Sequence, residues 1–106
     1  MQEITPRAAA ELLQAKPADT LLLDVREPME LEIAAVQGAL HIPMGEIPSR
    51  LDEIDKTRTI ICLCRSGARS GQVADFLEQQ GYSSVFNLVG GINAWALEVD
   101  DSIPTY

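Results

Sequence analysis

Thr59-Ile60-Ile61-Cys62-Leu63-Cys64-Arg65-Ser66-Gly67-Ala68-Arg69-Ser70 is the stretch that decides how this chain is read. Ile60 to Leu63 is an apolar run without helical spacing, the pattern of a strand covered on both faces of a parallel sheet. The run stops at Cys64 and enters a polar, glycine-bearing loop. Just beyond it, Val73, Phe76 and Leu77 recur at helical spacing among polar Gln72, Asp75, Glu78 and Gln79, and Gly81 is placed to end that helix. The reading is a strand, a short loop and a helix, with a cysteine at the turn.

A cysteine in that position is chemically unusual. The first backbone N–H groups of a helix lack partners, and the aligned peptide dipoles put roughly half a positive charge there. Arg65 and Arg69 add to the field, and Gly67 lets the backbone curl so that successive N–H groups point inward as an anion-binding nest. An ordinary cysteine of pKa about 8.5 is only about 3% thiolate at pH 7, whereas one lowered to about 6.5 is about three quarters ionised. Cys64 is therefore the candidate nucleophile, and Arg65, Ser66, Gly67, Ala68 and Arg69 are the candidate substrate-binding residues.

Cys64-Arg65-Ser66-Gly67-Ala68-Arg69-Ser70 resembles the active-site loop of single-domain rhodaneses, the thiosulfate sulfurtransferases. The likeness covers nearly the whole chain. Leu22-Leu23-Asp24-Val25-Arg26-Glu27-Pro28 resembles the family's early strand end, Gly38-Ala39-Leu40-His41-Ile42-Pro43 its second motif, and Asn87-Leu88-Val89-Gly90-Gly91-Ile92-Asn93-Ala94-Trp95 its closing one. One departure is visible. Where the family usually carries a histidine in the second motif, this chain reads Ala34-Ala35-Val36-Gln37-Gly38-Ala39, so no role is carried over for it.

Composition narrows the function classes. A length of 106 residues suits one domain over residues 1–106, which can bury roughly 65% of its unfolded surface but has no room for a second core. Eight basic against sixteen acidic residues give a net charge of -8, which argues against nucleic acid or an anionic membrane as partner. Met1-Gln2-Glu3-Ile4-Thr5-Pro6 has neither a basic start nor an apolar run, so the expectation is a cytoplasmic protein. Cys62 and Cys64 lie too close on one strand for an unstrained bridge, and with His41 alone they fall short of a structural zinc set. No metal or other cofactor is expected.

Strands and helices alternate along the rest of the chain. Gln2 to Ile4 suits an edge strand, and Thr5 caps a helix that starts at Pro6 and runs to about Gln14. Thr20 to Val25 is a second buried strand. It brings Asp24, Arg26 and Glu27 to the rim expected for Cys64, where Asp24 and Arg26 read as charges that fix the loop. Pro28 to Val36 suits a short helix with Glu30 and Glu32 in water, Ala39 to Ile42 a small strand, and Ile47 to Asp55 another helix. His41, the only histidine, reads as structural. Ser84 to Leu88 fits the last strand, Gly90-Gly91 a sharp turn, and Ile92 to Leu97 a helix whose Trp95 packs on the core. The tail from Glu98 to Tyr106 is expected along the surface. These elements predict an α/β fold, a mainly parallel sheet of about five strands with helices on both faces, and the resemblance implies that it is the three-layer rhodanese-like fold.

What the resemblance implies for chemistry is sulfane sulfur transfer. Cys64 attacks the outer sulfur of thiosulfate or a persulfide donor, becomes a persulfide, and passes the sulfur to cyanide or a thiol, including that of an acceptor protein. The loop amides hold the charge, the arginines grip the donor, and no separate base is needed. One rival is a phosphatase or arsenate reductase, since such enzymes also place a cysteine in an anion cradle. Their loop is one residue longer between cysteine and arginine, whereas Cys64 and Arg69 enclose only four. The other rival is a docking module without catalysis, which the presence of Cys64 opposes.

Overall fold

The strand Thr59–Leu63 lies at the centre of the sheet, and the rest of the chain is laid out on either side of it. The computed structural model describes residues 1–106. In chain order the elements are β1 (Gln2–Ile4), α1 (Pro6–Ala15), β2 (Thr20–Asp24), α2 (Pro28–Ile33), β3 (Leu40–His41), β4 (Thr59–Leu63), α3 (Ala68–Gln79), β5 (Val85–Leu88) and α4 (Gly91–Glu98). The strands form one five-stranded sheet in the order β1-β5-β4-β2-β3. Every pairing is parallel, with Leu22 opposite Ile61 and Ile61 opposite Phe86.

Side chains alternate across a strand, so the continuous apolar run of β4 feeds two cores at once. Ile60 and Cys62 face the layer of α3, packing with Leu23, Val73, Ala74 and Leu77. Ile61 and Leu63 face the layer of α1 and α4, packing with Ala9, Leu22, Leu88, Ile92 and Trp95. Full burial of each large side chain contributes about 1.5–3 kcal/mol, which explains why an amphipathic pattern is absent from the central strands. Helices cover both faces, as the alternation of elements predicts, and Trp95 is buried.

Local signals placed most boundaries. Thr5 Oγ1 accepts the Ala8 N–H at 3.2 Å with Pro6 in the first helical turn, the expected cap of α1. Three expectations need correction. Residues 47–55 form no α-helix: two 3-10 turns, Met44–Glu46 and Pro48–Glu53, replace it. Pro48 cannot donate an N–H, and Arg50 leaves helical geometry (φ -124°, ψ 24°), while the Tyr82 hydroxyl packs on the carbonyls of Leu51 and Ile54 to hold the segment. Glu30 is not in water, and the tail does not merely follow the surface. Both belong to the site described next.

Candidate active site

Parallel sheets gather their ligand-facing loops at the carboxyl ends of the strands, and β4 delivers Cys64 there. Gly67, at φ +114°, precedes α3 and turns the chain back over the sulfur. Its N–H donates to Cys64 Sγ at 3.1 Å. From the other side, the first amides of α4 bind the loop's carbonyls: Ile92 N–H to the Cys64 carbonyl at 2.8 Å and Asn93 N–H to that of Arg65 at 3.3 Å. With those carbonyls engaged outward, amides of the loop face the thiol. Gly91 makes this approach possible, because a side chain there would overlap the carbonyls of Cys64 and Arg65.

Cys64 is 1% exposed and borders the α3-side core, yet its sulfur is not sealed in hydrocarbon. Burial opposes its ionisation. The Ser70 hydroxyl and the N–H groups of Ser70, Gly67 and Ser66 outweigh that cost and hold the thiol below the ordinary cysteine value. Two residues back on the same strand, Cys62 lacks those donors, and burial pushes it up to about 12. Both cysteines are free.

Ser70 lies between two acceptors, with Oγ 3.2 Å from Cys64 Sγ and 2.5 Å from Asn87 Oδ1. The amide orientation of Asn87 is set by Nδ2, which donates to the Gly67 carbonyl at 3.0 Å. A hydroxyl has one hydrogen, so when Cys64 is a thiol the chain runs from S–H to Ser70 to Asn87, and the thiolate draws the Ser70 hydrogen to itself. Ser70→Ala is expected to raise the Cys64 pKa and slow iodoacetamide alkylation at pH 7 by roughly threefold to tenfold, since one donor to the thiolate is lost. A pH profile of alkylation that matches the wild type would remove Ser70 from this role.

The two loop arginines stand in different environments. Arg69 is gripped by Glu30, Nη1 to Oε1 at 2.6 Å and Nη2 to Oε2 at 2.9 Å. Arg65 is exposed, pairs with no carboxylate, and lies 4.9 Å from the ring centre of Tyr106. Ser66 and Ala68 are exposed around the loop. Beneath it, Arg26 is fully buried and bound to Asp24 through Nη2 to Oδ2 at 2.7 Å and Nε to Oδ1 at 3.0 Å. Arg26 also donates to the Ala34 carbonyl at 2.8 Å. His41 Nε2 donates to the Arg26 carbonyl at 2.6 Å, the structural position expected of it.

Sequence reasoning missed Glu30 and Tyr106, and it did not count Ser70 or Asn87 among the candidate site residues. Glu30 accepts the Arg69 fork, the Tyr106 hydroxyl at 2.6 Å and the Glu27 N–H at 3.0 Å, and the Arg69 contact first of all lowers its pKa from 4.5 to about 2. The folded value lies below the unfolded one, so this stabilisation is complete above pH 4.5 and is lost as the pH falls toward 2. Acid titration followed by circular dichroism should show Glu30→Gln with a shallower fall of stability across that window than the wild type. Parallel curves would mean the pair carries no net stability. For Ser70 a signal existed, since it closes the quoted motif at the start of α3. Glu30 and Tyr106 lie 39 and 37 residues from Arg69, and no local pattern links them to it.

Cavity size does not point to this site. The larger cavity, about 480 Å³, lies between α1, Thr20 and Arg58, and the smaller lies beside Val73 and Phe76. Cys64 lines neither of them. What singles out Cys64 is the pair of donors on its Sγ, not an open pocket.

Fold and loop together describe an α/β domain with a cysteine in an amide cup at the end of its central parallel strand. Residues 5–98 match the Rhodanese-like domain family, and the chain belongs to it. A sulfurtransferase of Allochromatium vinosum is 46% identical over 96 residues, covering 91% of this chain and 89% of its own. A thiosulfate sulfurtransferase of Actinobacillus succinogenes is 34% identical over 93 residues, covering 88% and 82% respectively. Among solved structures, a rhodanese-like domain protein from Staphylococcus aureus superposes with a TM-score of 0.79 at 28% identity, covering 100% of this chain and 99% of that one. No helix is long and apolar enough to cross a membrane.

Proposed function

We propose that this protein is a sulfurtransferase that carries sulfane sulfur on Cys64 from a small anionic donor, thiosulfate or a persulfide, to a thiol or cyanide. The observation that carries the reading is the pair of donors on Cys64 Sγ, the Gly67 N–H and the Ser70 hydroxyl, at the start of α3. They favour a thiolate without any separate base.

In the first step the thiolate attacks the outer sulfur of thiosulfate. A Cys64 S–S bond forms, the donor's S–S bond breaks, and its electron pair leaves with sulfite. The outer persulfide sulfur then carries the negative charge within reach of the loop amides. In the second step the acceptor thiolate or cyanide attacks that sulfur, and Cys64 departs as the thiolate, ready for another cycle. Arg65 supplies positive charge at the entrance. The single domain suffices for both steps, and its two free cysteines suit a reducing compartment, which we take to be the cytoplasm.

The short loop and the Glu30 partner on Arg69 favour sulfur over phosphoryl or arsenate chemistry, which requires an arginine turned to the oxyanion. Intact mass after incubation with thiosulfate tests the reading: a gain of one sulfur atom, removed by cyanide with release of thiocyanate, is expected. Phosphate release from an aryl phosphate without that gain would replace it with the rival.

A further inference from the structure

The residues beyond α4 fold back over the site instead of trailing away. Asp100 accepts from the Ser102 N–H at 3.1 Å and from its hydroxyl at 2.6 Å, and Ile103 and Tyr106 pack against the core under α4. Asn93 then clamps the main chain of Tyr106 from both sides: the Tyr106 N–H donates to its Oδ1 at 3.1 Å, and its Nδ2 donates to the Tyr106 carbonyl oxygen at 3.0 Å. The same Asn93 gives its own N–H to the Arg65 carbonyl. One residue thus ties the tail to the active-site loop.

The Tyr106 side chain is oriented by what surrounds it. Arg26, itself immobilised by Asp24 and the Ala34 carbonyl, donates Nη1 to the phenol oxygen at 2.9 Å. That bond occupies the oxygen's acceptor side and directs the O–H to Glu30 Oε2 at 2.6 Å. Glu30, so held, neutralises Arg69. The ring face meanwhile meets the Arg65 guanidinium, the loop cation that no carboxylate pairs. Tyr106 therefore does opposite things to the two arginines: it helps to keep one neutralised and holds the other in place with its charge intact.

We propose that Tyr106 is a positioning residue that fixes Arg65 as the receptor for the anionic end of the sulfur donor, its ring carrying the guanidinium while its hydroxyl holds Glu30 on Arg69. A π-face is suited to this, because it attracts a cation without adding the negative charge by which a carboxylate would repel the donor. The proposal rests on the sulfur-transfer reading for its substrate, but its geometry concerns any anion that approaches Cys64.

The test compares wild type with Tyr106→Phe, Tyr106→Leu and Asn93→Ala in two assays. One measures KM and kcat with thiosulfate. The other takes the ratio of Cys64 alkylation rates by anionic iodoacetate and neutral iodoacetamide, which reports local positive charge without any sulfur transfer. Tyr106→Leu is expected to raise KM by about threefold to fivefold with kcat within about twofold, and to lower the alkylation ratio by a similar factor. Tyr106→Phe keeps the ring over Arg65 and removes only the hydroxyl from Glu30, which the Arg69 fork and the Glu27 N–H still hold, so both values should move by less than about twofold. Asn93→Ala releases the tail with the ring intact and should shift both values as the leucine does, so the proposal stays testable if Tyr106→Leu does not fold. Wild-type KM and alkylation ratio in the leucine or Asn93 variants would overturn it, as would a phenylalanine variant as impaired as the leucine. If the wild type transfers no sulfur from thiosulfate while the alkylation ratio still follows residue 106, the positioning role stands and the sulfur-transfer reading falls.

Discussion

Cys64→Ser is expected to abolish sulfur uptake from thiosulfate, with turnover falling at least about a thousandfold, while melting changes little. A serine hydroxyl accepts the same Gly67 and Ser70 contacts but stays protonated near neutral pH, and it forms no persulfide. The informative partner is Cys62→Ser, two residues away on the same strand. Cys62 is fully buried and pushed up to about 12, so it should contribute nothing to turnover. Burying a hydroxyl in its place costs about 1–3 kcal/mol, which should appear as a lower melting temperature with activity retained. Mass spectrometry of both variants after thiosulfate treatment decides the matter. Sulfur still bound to the Cys64→Ser protein would end the proposed mechanism, and sulfur missing from Cys62→Ser would show that the wrong thiol had been chosen.

Asp24→Asn is expected to give the largest loss of stability, about 3–5 kcal/mol, because it leaves a buried guanidinium without its counter-charge. Arg26 is 0% exposed, and its charge persists in spite of burial because Asp24 and Tyr106 bind it. Asparagine preserves the shape of Asp24 but turns an N–H2 group toward a set of donors. The loop around Cys64 should be less affected than the fold, so the alkylation rate of the surviving folded protein should stay within about threefold of wild type. Denaturant unfolding checks the first statement and alkylation the second. A variant of wild-type stability that had lost its alkylation rate would make Asp24 part of the reactive site instead of its foundation. Removing both partners, as in Asp24→Leu with Arg26→Met, should cost less than Asp24→Asn alone, since no buried charge is then left unpaired.

Much of this was legible from residue types in order. The run Thr59 to Leu63 required a buried parallel strand, since no other common element covers both faces of so short an apolar segment. Cys64 had to emerge at its carboxyl end, followed by α3, because the helical spacing of Val73, Phe76 and Leu77 begins there. The cap at Thr5 and the buried Trp95 followed from similarly local signals. Local reading failed where short-range propensity was weak. Residues 47–55 have helical apolar spacing, but prolines at 43 and 48 break the segment into two 3-10 turns.

The order of residues alone established an alternating α/β chain with one cysteine set before a helix, because backbone preference and side-chain periodicity act over a few positions. Only the folded molecule decided how charge is distributed around that cysteine. It joined Glu30 to Arg69 and Tyr106 to Arg65, and it pressed Gly91 against the loop from a helix 26 residues away in the chain. Contacts between distant positions depend on the packing of whole layers. A glutamate on a short helix or a tyrosine in an acidic tail bears no local sign of the partner it will meet.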